Sequence, residues 1–123
     1  MLVIKTFLSQ SKIFGAGTGL FSAQNVKKGD PVAISEPGTY LTFTDEEFQI
    51  ADQHFKNFLT DYACYKDGVW ILEKDNEKFI NHSRNPNLTP SGFARRDISS
   101  GEELTYDYRE VDDLIKKFPP SWL

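Results

Sequence analysis

The sequence predicts a mostly-β domain with short helices. Three observations predict it: the apolar, β-branched and aromatic runs are short, turn signals such as Lys-Gly-Asp, Pro-Gly and Asp-Gly recur between them, and only two segments carry helical spacing. The chain of 123 residues fits one domain over residues 1–123, large enough for a real but lean core.

Residues 2–8 are apolar and rich in Val, Ile, Thr and Phe, and read as a strand, with residues 9–12 as a turn. After Gly15-Ala16-Gly17-Thr18-Gly19, apolar character resumes at Leu20 and Phe21. Residues 32–34 and 40–43 read as further strands, separated by Glu36-Pro37-Gly38. Thr44 opens a helix: with Glu47 three residues on it forms a capping box, and Asp45, Glu46 and Glu47 suit the positive end of the helix dipole. Phe48, Ala51, Phe55, Phe58 and Leu59 then share one face of that single helix, with His54 at its edge. Residues 69–72 make a strand after Lys66-Asp67-Gly68, and Phe79-Ile80 precede a polar loop over residues 81–89. Residues 93–98 and 104–108 read as the last strands. Glu102 and Glu103 between them read as solvated turn residues, because adjacent carboxylates diverge. Val111, Leu114, Ile115 and Phe118 mark a closing helix, with Asp112 and Asp113 at its start, Lys116 and Lys117 at its end, and Pro119-Pro120 stopping it.

Composition narrows the function. Fourteen basic against 18 acidic residues, a net charge of −4, exclude a sequence-independent nucleic-acid binder and permit a basic partner such as a lysine-rich peptide. A single cysteine, Cys64, allows no internal disulfide and reads as a small buried apolar residue, and with two histidines it makes a metal site improbable. Residues 1–10 lack the long apolar run and small-residue cleavage site of an export signal, and no stretch is long enough to span a membrane, so an intracellular location is expected.

The glycine cluster is neither a P-loop nor the dinucleotide fingerprint, since no Gly-Lys-Ser/Thr closes it and Leu20 stands where a further spacing would begin. The GxGxG of doubly wound methyltransferases needs a helix next, where residues 20–34 read as strand and turn. Two readings stay open: a plain turn, or a turn whose backbone grips a small cofactor, which glycine permits by close approach.

Two further segments give the cluster company: Phe79-Ile80-Asn81-His82-Ser83-Arg84-Asn85-Pro86-Asn87 and Gly101-Glu102-Glu103-Leu104-Thr105-Tyr106-Asp107-Tyr108. In this order, over nearly the whole chain, the three segments resemble the SET-domain protein-lysine methyltransferases. The resemblance implies a SET-type fold of small curved sheets in which the Asn-His loop and the C-terminal strand cross in a pseudoknot. It implies S-adenosylmethionine as methyl donor and a lysine-containing protein or peptide, such as a histone, as substrate. Carried over by position, it places cofactor binding on Ala16, Gly17, Thr18, Gly19, Asn81 and His82. Tyr108 becomes the catalytic tyrosine and Tyr106 the position that limits how many methyl groups are added. Tyr62 would border both cofactor and lysine channel, and either Phe118 or Trp122 would pack on the adenine. On the residues alone, Tyr106 and Tyr108 could be core and Asn81 a turn brace, so a catalytically silent binding module of the same fold stays open, as does a small-molecule methyltransferase.

The chain departs from the family pattern at Arg84, where many members have cysteine, and in residues 109–123, which hold no cysteine. A zinc-free site closed by the last helix and Trp122 is therefore expected, with a minimal peptide groove that a partner or second copy could complete.

Overall fold

The computed structural model describes residues 1–123 and is built of small sheets and short helices. Strands β1 (Thr6–Gln10) and β2 (Thr18–Ser22) pair antiparallel across the glycine loop, with Phe7 opposite Phe21. Strands β3 (Tyr40–Thr44), β4 (Cys64–Lys66) and β5 (Val69–Glu73) form an antiparallel sheet with β5 in the centre. Helices α1 (Asp45–Ile50) and α2 (Gln53–Tyr62) lie between β3 and β4. A single 3-10 turn, Asn76–Phe79, leads into β6 (Asn81–His82), which pairs parallel with β7 (Thr105–Tyr106). Helices α3 (Tyr108–Val111) and α4 (Asp113–Lys117) follow. No helix is long and apolar enough to cross a membrane.

Two clusters make the core. One gathers Leu20, Val26, Val32, Ile80, Leu88, Ala94, Ile98 and Leu104. The other centres on Leu59, Trp70 and Leu72, with Phe48 stacked on Trp70 at 4.5 Å between ring centroids. The first holds β2, β6 and the approach to β7; the second holds α2 and β5.

The crossing of the chain near its end is visible in the hydrogen bonds. Successive residues of a strand point their backbone groups to opposite edges. Tyr106 accepts from the Ser83 N–H (2.9 Å) on one edge, and Thr105 accepts from the Leu88 N–H (3.1 Å) on the other. Strand β7 thus runs between the two limbs of the loop over residues 81–88. Asn87, 1% exposed, locks it there: its Nδ2 donates to Glu102 Oε2 and the Glu103 carbonyl (both 2.8 Å), and its Oδ1 accepts from the Thr105 N–H (2.8 Å).

The expected capping box at Thr44 is present, with Thr44 Oγ1 accepting from the Glu47 N–H and Glu47 Oε1 from the Thr44 N–H (both 3.1 Å). Six expectations on secondary structure are corrected. The single helix after Thr44 is two, because Asp52 accepts from the Phe55 N–H and caps a second start, leaving Ile50 87% exposed at the break. The closing helix likewise breaks at Asp112, which caps α4 through the Ile115 N–H and also accepts from the Tyr65 N–H. Residues 32–34 and 93–98 form no strands, only isolated bridges to different partners, such as Leu2 with Ala33, Leu88 with Ala94 and Val26 with Ile98. The first strand runs over Thr6–Gln10 rather than from Leu2, and the last ends at Tyr106, so Tyr108 stands at the start of α3.

Candidate functional site

Beside the glycine loop a cleft of about 580 Å³ opens. It is lined by Ile13, Phe14, Gly15, Ala16 and Thr18 of the glycine loop, Asp61 and Tyr62 at the end of α2, and Lys78 and Phe79 of the 3-10 turn. Asn81 and His82 of β6, with Tyr108 and Trp122, complete it. The volume lies within the roughly 300–1,000 Å³ usual for small-molecule sites.

The glycine loop is fastened from below. Ser11 N–H donates to the Gly17 carbonyl (2.7 Å), and Gly15 and Gly17 take φ of 78° and 73°, a region glycine occupies without strain. Glu103 anchors the loop to β6. Its carboxylate accepts from Ser11 Oγ (2.7 Å), the Lys12 N–H (2.9 Å) and Asn81 Nδ2 (3.3 Å). The expectation that Glu102 and Glu103 are solvated turn residues is thus overturned, since Glu103 is 9% exposed and Glu102 bonds Asn87. Burying a carboxylate is tolerable because donors surround it.

Gly19 is what lets Glu103 approach: a Cβ there would stand 2.6 Å from Glu103 Oε2 and 3.2 Å from the Ser11 Cα. Gly19→Ala is expected to cost about 1–3 kcal/mol of stability by displacing that carboxylate, read as a shift in the urea midpoint. An unshifted midpoint would show that the loop yields freely.

Asn81 spends both amide hydrogens on the protein, on the Thr18 carbonyl (2.9 Å) and on Glu103, so its Oδ1 is left as an acceptor in the cleft. His82 Nδ1 accepts from the Tyr108 N–H (3.0 Å), which fixes the neutral tautomer with the proton on Nε2. That Nε2 is buried with no partner in the protein. Burial, opposed by Asp107 and helped by Arg109 and Arg84, holds the imidazole below its ordinary 6.5. The neutral form therefore contributes stability in full above 6.5, and the contribution is lost as pH falls from there through the depressed value. Wild type should lose thermal stability between about pH 7 and 5.5 more steeply than His82→Asn. Equal slopes in the two proteins would remove His82 from this role.

Tyr108 donates its hydroxyl to the Ile80 carbonyl (2.8 Å). Burial first, then the charges of Asp112 and Glu103, push it up to about 12, so it is a phenol and not a phenolate at neutral pH. Its ring neighbours are His82 at 5.2 Å and Trp122 at 6.4 Å. Arg84, where many relatives have cysteine, donates to the Leu123 carbonyl (2.7 Å) and so ties the chain beside Trp122 to the Asn-His-Ser loop. Tyr62 borders the cleft and packs edge-on against Phe79.

The cleft thus brings together Ala16, Thr18, Tyr62, Asn81, His82, Tyr108 and Trp122 of the expected residues. Gly17 and Gly19 shape the loop without lining it. Tyr106 lies behind the wall, its hydroxyl donating to Glu77 Oε1 (3.2 Å), and burial raises it well above the ordinary tyrosine range. Phe118 is 68% exposed beside Lys117 and outside the lining. Sequence reasoning missed Phe14 on the glycine loop, Lys78 and Phe79, which the short 3-10 turn brings to the wall, and Glu103. The signal for Glu103 was the Gly-x-Gly run that makes room for a buried partner.

Residues 17–109 match the SET domain. The chain is 32% identical over 110 residues to the histone-lysine N-methyltransferase ASHR3 of Arabidopsis thaliana, covering 77% of this chain and 22% of that protein. It is 31% identical over 118 residues to an H3 lysine-4 specific histone-lysine N-methyltransferase of Schizosaccharomyces pombe, covering 80% and 12%. It spans less than a third of the length of these curated relatives. Among solved structures, Chaetomium thermophilum Polycomb Repressive Complex 2, autoinhibited and bound to S-adenosylmethionine, superposes with a TM-score of 0.66 at 20% identity, over 95% of this chain and 17% of that one. A proposed histone methyltransferase of Plasmodium falciparum superposes with a TM-score of 0.61 at 22% identity, over 85% and 93%. With the ordered motifs, the parallel β6–β7 crossing and the matched residues in hand, the chain belongs to the SET-domain family of protein lysine methyltransferases.

Proposed function

We propose that this chain transfers a methyl group from S-adenosylmethionine to the side-chain amine of a lysine in a protein substrate. The observation that carries the reading is the convergence of the glycine loop, Asn81, His82 and Tyr108 on one cleft. The donor set suits the cofactor: a free Asn81 Oδ1 for an ammonium, a buried unpartnered His82 Nε2–H for an acceptor, and aromatic rings for a base. When bound, the cofactor supplies an electrophilic methyl on a cationic sulfur.

The chain's own residues do the rest by position. An acceptor amine must lie in line with the methyl at contact distance. A lysine starts protonated, with an ordinary pKa of about 10.4, and an aromatic, poorly hydrated channel disfavours that charge. The proton leaves to water. Tyr108 is not its base, because its hydroxyl is held protonated and donates to the Ile80 carbonyl. The oxygen of Tyr108 then offers its lone pairs to orient the amine, and His82 holds the Tyr108 backbone in place. Net negative charge suits a basic substrate segment. An intracellular site of action and freedom from zinc belong to the same proposal.

Titration with S-adenosylhomocysteine by calorimetry tests the reading first, and radiolabelled cofactor with core histones and cell lysate tests it second. Absence of binding would leave the silent module of the same fold as the better reading.

A further inference from the structure

Charge on the cleft wall is unanswered at one point. Lys78 has its Nζ tied to the Asp75 carbonyl (2.6 Å), and His82 is neutral. Asp61 also lines the cleft, is exposed, and makes no ion pair or side-chain hydrogen bond within the chain. Its place on the helix is unfavourable as well. Asp61 lies in the last turn of α2, where the dipole disfavours an anion, and no basic residue stands in that turn to offset it. Helix α4, by contrast, ends on Lys116 and Lys117. A bound cation would relieve a carboxylate held at the wrong end of a helix.

Asp61 does not stand alone. Phe58, Asp61 and Tyr62 are spaced i, i+3 and i+4, so they share one face of α2. Both rings are 38% exposed, and their centroids lie 5.0 Å apart with the planes tilted by 47°. This face therefore presents a free carboxylate beside two open ring surfaces, and it ends at the cleft. The cation that fits is planar and forked. A guanidinium bonds a carboxylate through two N–H groups and lays its flat face on a ring, whereas an ammonium is a point charge without a plane. The target lysine is not this cation, because a carboxylate beside it would favour its protonated form and oppose transfer.

We propose that Asp61, with Phe58 and Tyr62, is a specificity-determining residue that binds an arginine side chain neighbouring the target lysine of the substrate. The proposal rests on the lysine methyl-transfer reading above and narrows its substrate class.

The test uses the whole chain, radiolabelled S-adenosylmethionine and pooled peptides. Each pool carries one central lysine and one neighbouring position fixed as arginine, citrulline, lysine or glutamate. Citrulline keeps the length and plane of arginine and removes its charge. Wild type is expected to label one arginine pool about five- to tenfold more than the matching citrulline pool, through a lower KM, with the lysine pool between them. Asp61→Asn should bring that ratio within about twofold, and Asp61→Arg should turn the preference toward glutamate. Phe58→Leu, apolar without a π face, should keep only part of it. Because the carboxylate opposes the helix dipole, Asp61→Asn should not lower the thermal midpoint. Labelled pools without an arginine preference overturn the proposal, as does a preference that survives in Asp61→Asn or an equal preference for lysine. A lowered midpoint also overturns it, since Asp61 would then serve the fold. So does weaker S-adenosylhomocysteine binding by Asp61→Asn, which would make Asp61 a cofactor contact. If no pool is labelled at all, the methyl-transfer reading falls and this one falls with it, an outcome distinct from the others.

Discussion

Tyr108→Phe is expected to lower methyl transfer by about a hundredfold or more while leaving S-adenosylhomocysteine affinity nearly unchanged. The substitution removes one oxygen and keeps the ring. The ring neighbours His82 and Trp122, and the backbone N–H that His82 Nδ1 accepts is untouched, so the cleft wall stays in place. What goes is a hydroxyl fixed by the Ile80 carbonyl at 2.8 Å and held protonated by burial. Without it the acceptor amine loses its guide, and misalignment of about 1 Å is enough to cost two orders of magnitude. Radiolabel incorporation into core histones and lysate, set beside calorimetry on the same preparations, separates the two effects. Equal labelling by wild type and variant would take Tyr108 out of the chemistry. Weakened binding in step with weakened labelling would make it a cofactor contact instead.

Asn87→Ala is expected to cost about 3 kcal/mol of stability. Asn87 is 1% exposed and its side chain is saturated: two donors to Glu102 and Glu103, and one oxygen accepting from the backbone of Thr105. Truncation leaves the Thr105 N–H and the Glu103 carbonyl buried without partners, and each orphaned group costs about 1–3 kcal/mol. For a domain whose total stability is about 5–15 kcal/mol, that is a large fraction. Urea denaturation would read it directly. A loss below about 1 kcal/mol would mean that water replaces the side chain and that β7 does not depend on this lock.

These residues also show what the sequence could and could not disclose. The capping box at Thr44 was legible because both partners lie within four residues and the signal is local. The break at Ala51–Asp52 was not, because apolar spacing continues smoothly through it. The competing signal was a lone Asp, and Asp52 prevails by capping a new start while Ile50 goes to solvent. Residues 93–98 read as a strand from their composition, yet their partners are spread over Val26, Pro31 and Leu88, so no ladder forms. In the site, Asn81, His82 and Tyr108 were legible through their motifs, and they do share a cleft. Lys78, Phe79 and Phe14 were not, since what places them is the course of a loop and a 3-10 turn, which carry no periodicity.

The passage of Thr105–Tyr106 between the two limbs of residues 81–88 has a consequence for how the molecule comes into being. Contacts across such a crossing join positions far apart along the chain, and they are reached slowly because loop closure precedes the gain they bring. During synthesis β7 emerges after every segment that encloses it. Tyr108 stands two residues past the end of β7, so the wall it completes is assembled only once that strand is seated. A partly folded chain can hold Leu59, Trp70 and Leu72 together and still have no cleft. The pocket is therefore expected to mature only after β7 is seated, and gain of ligand binding reads that step.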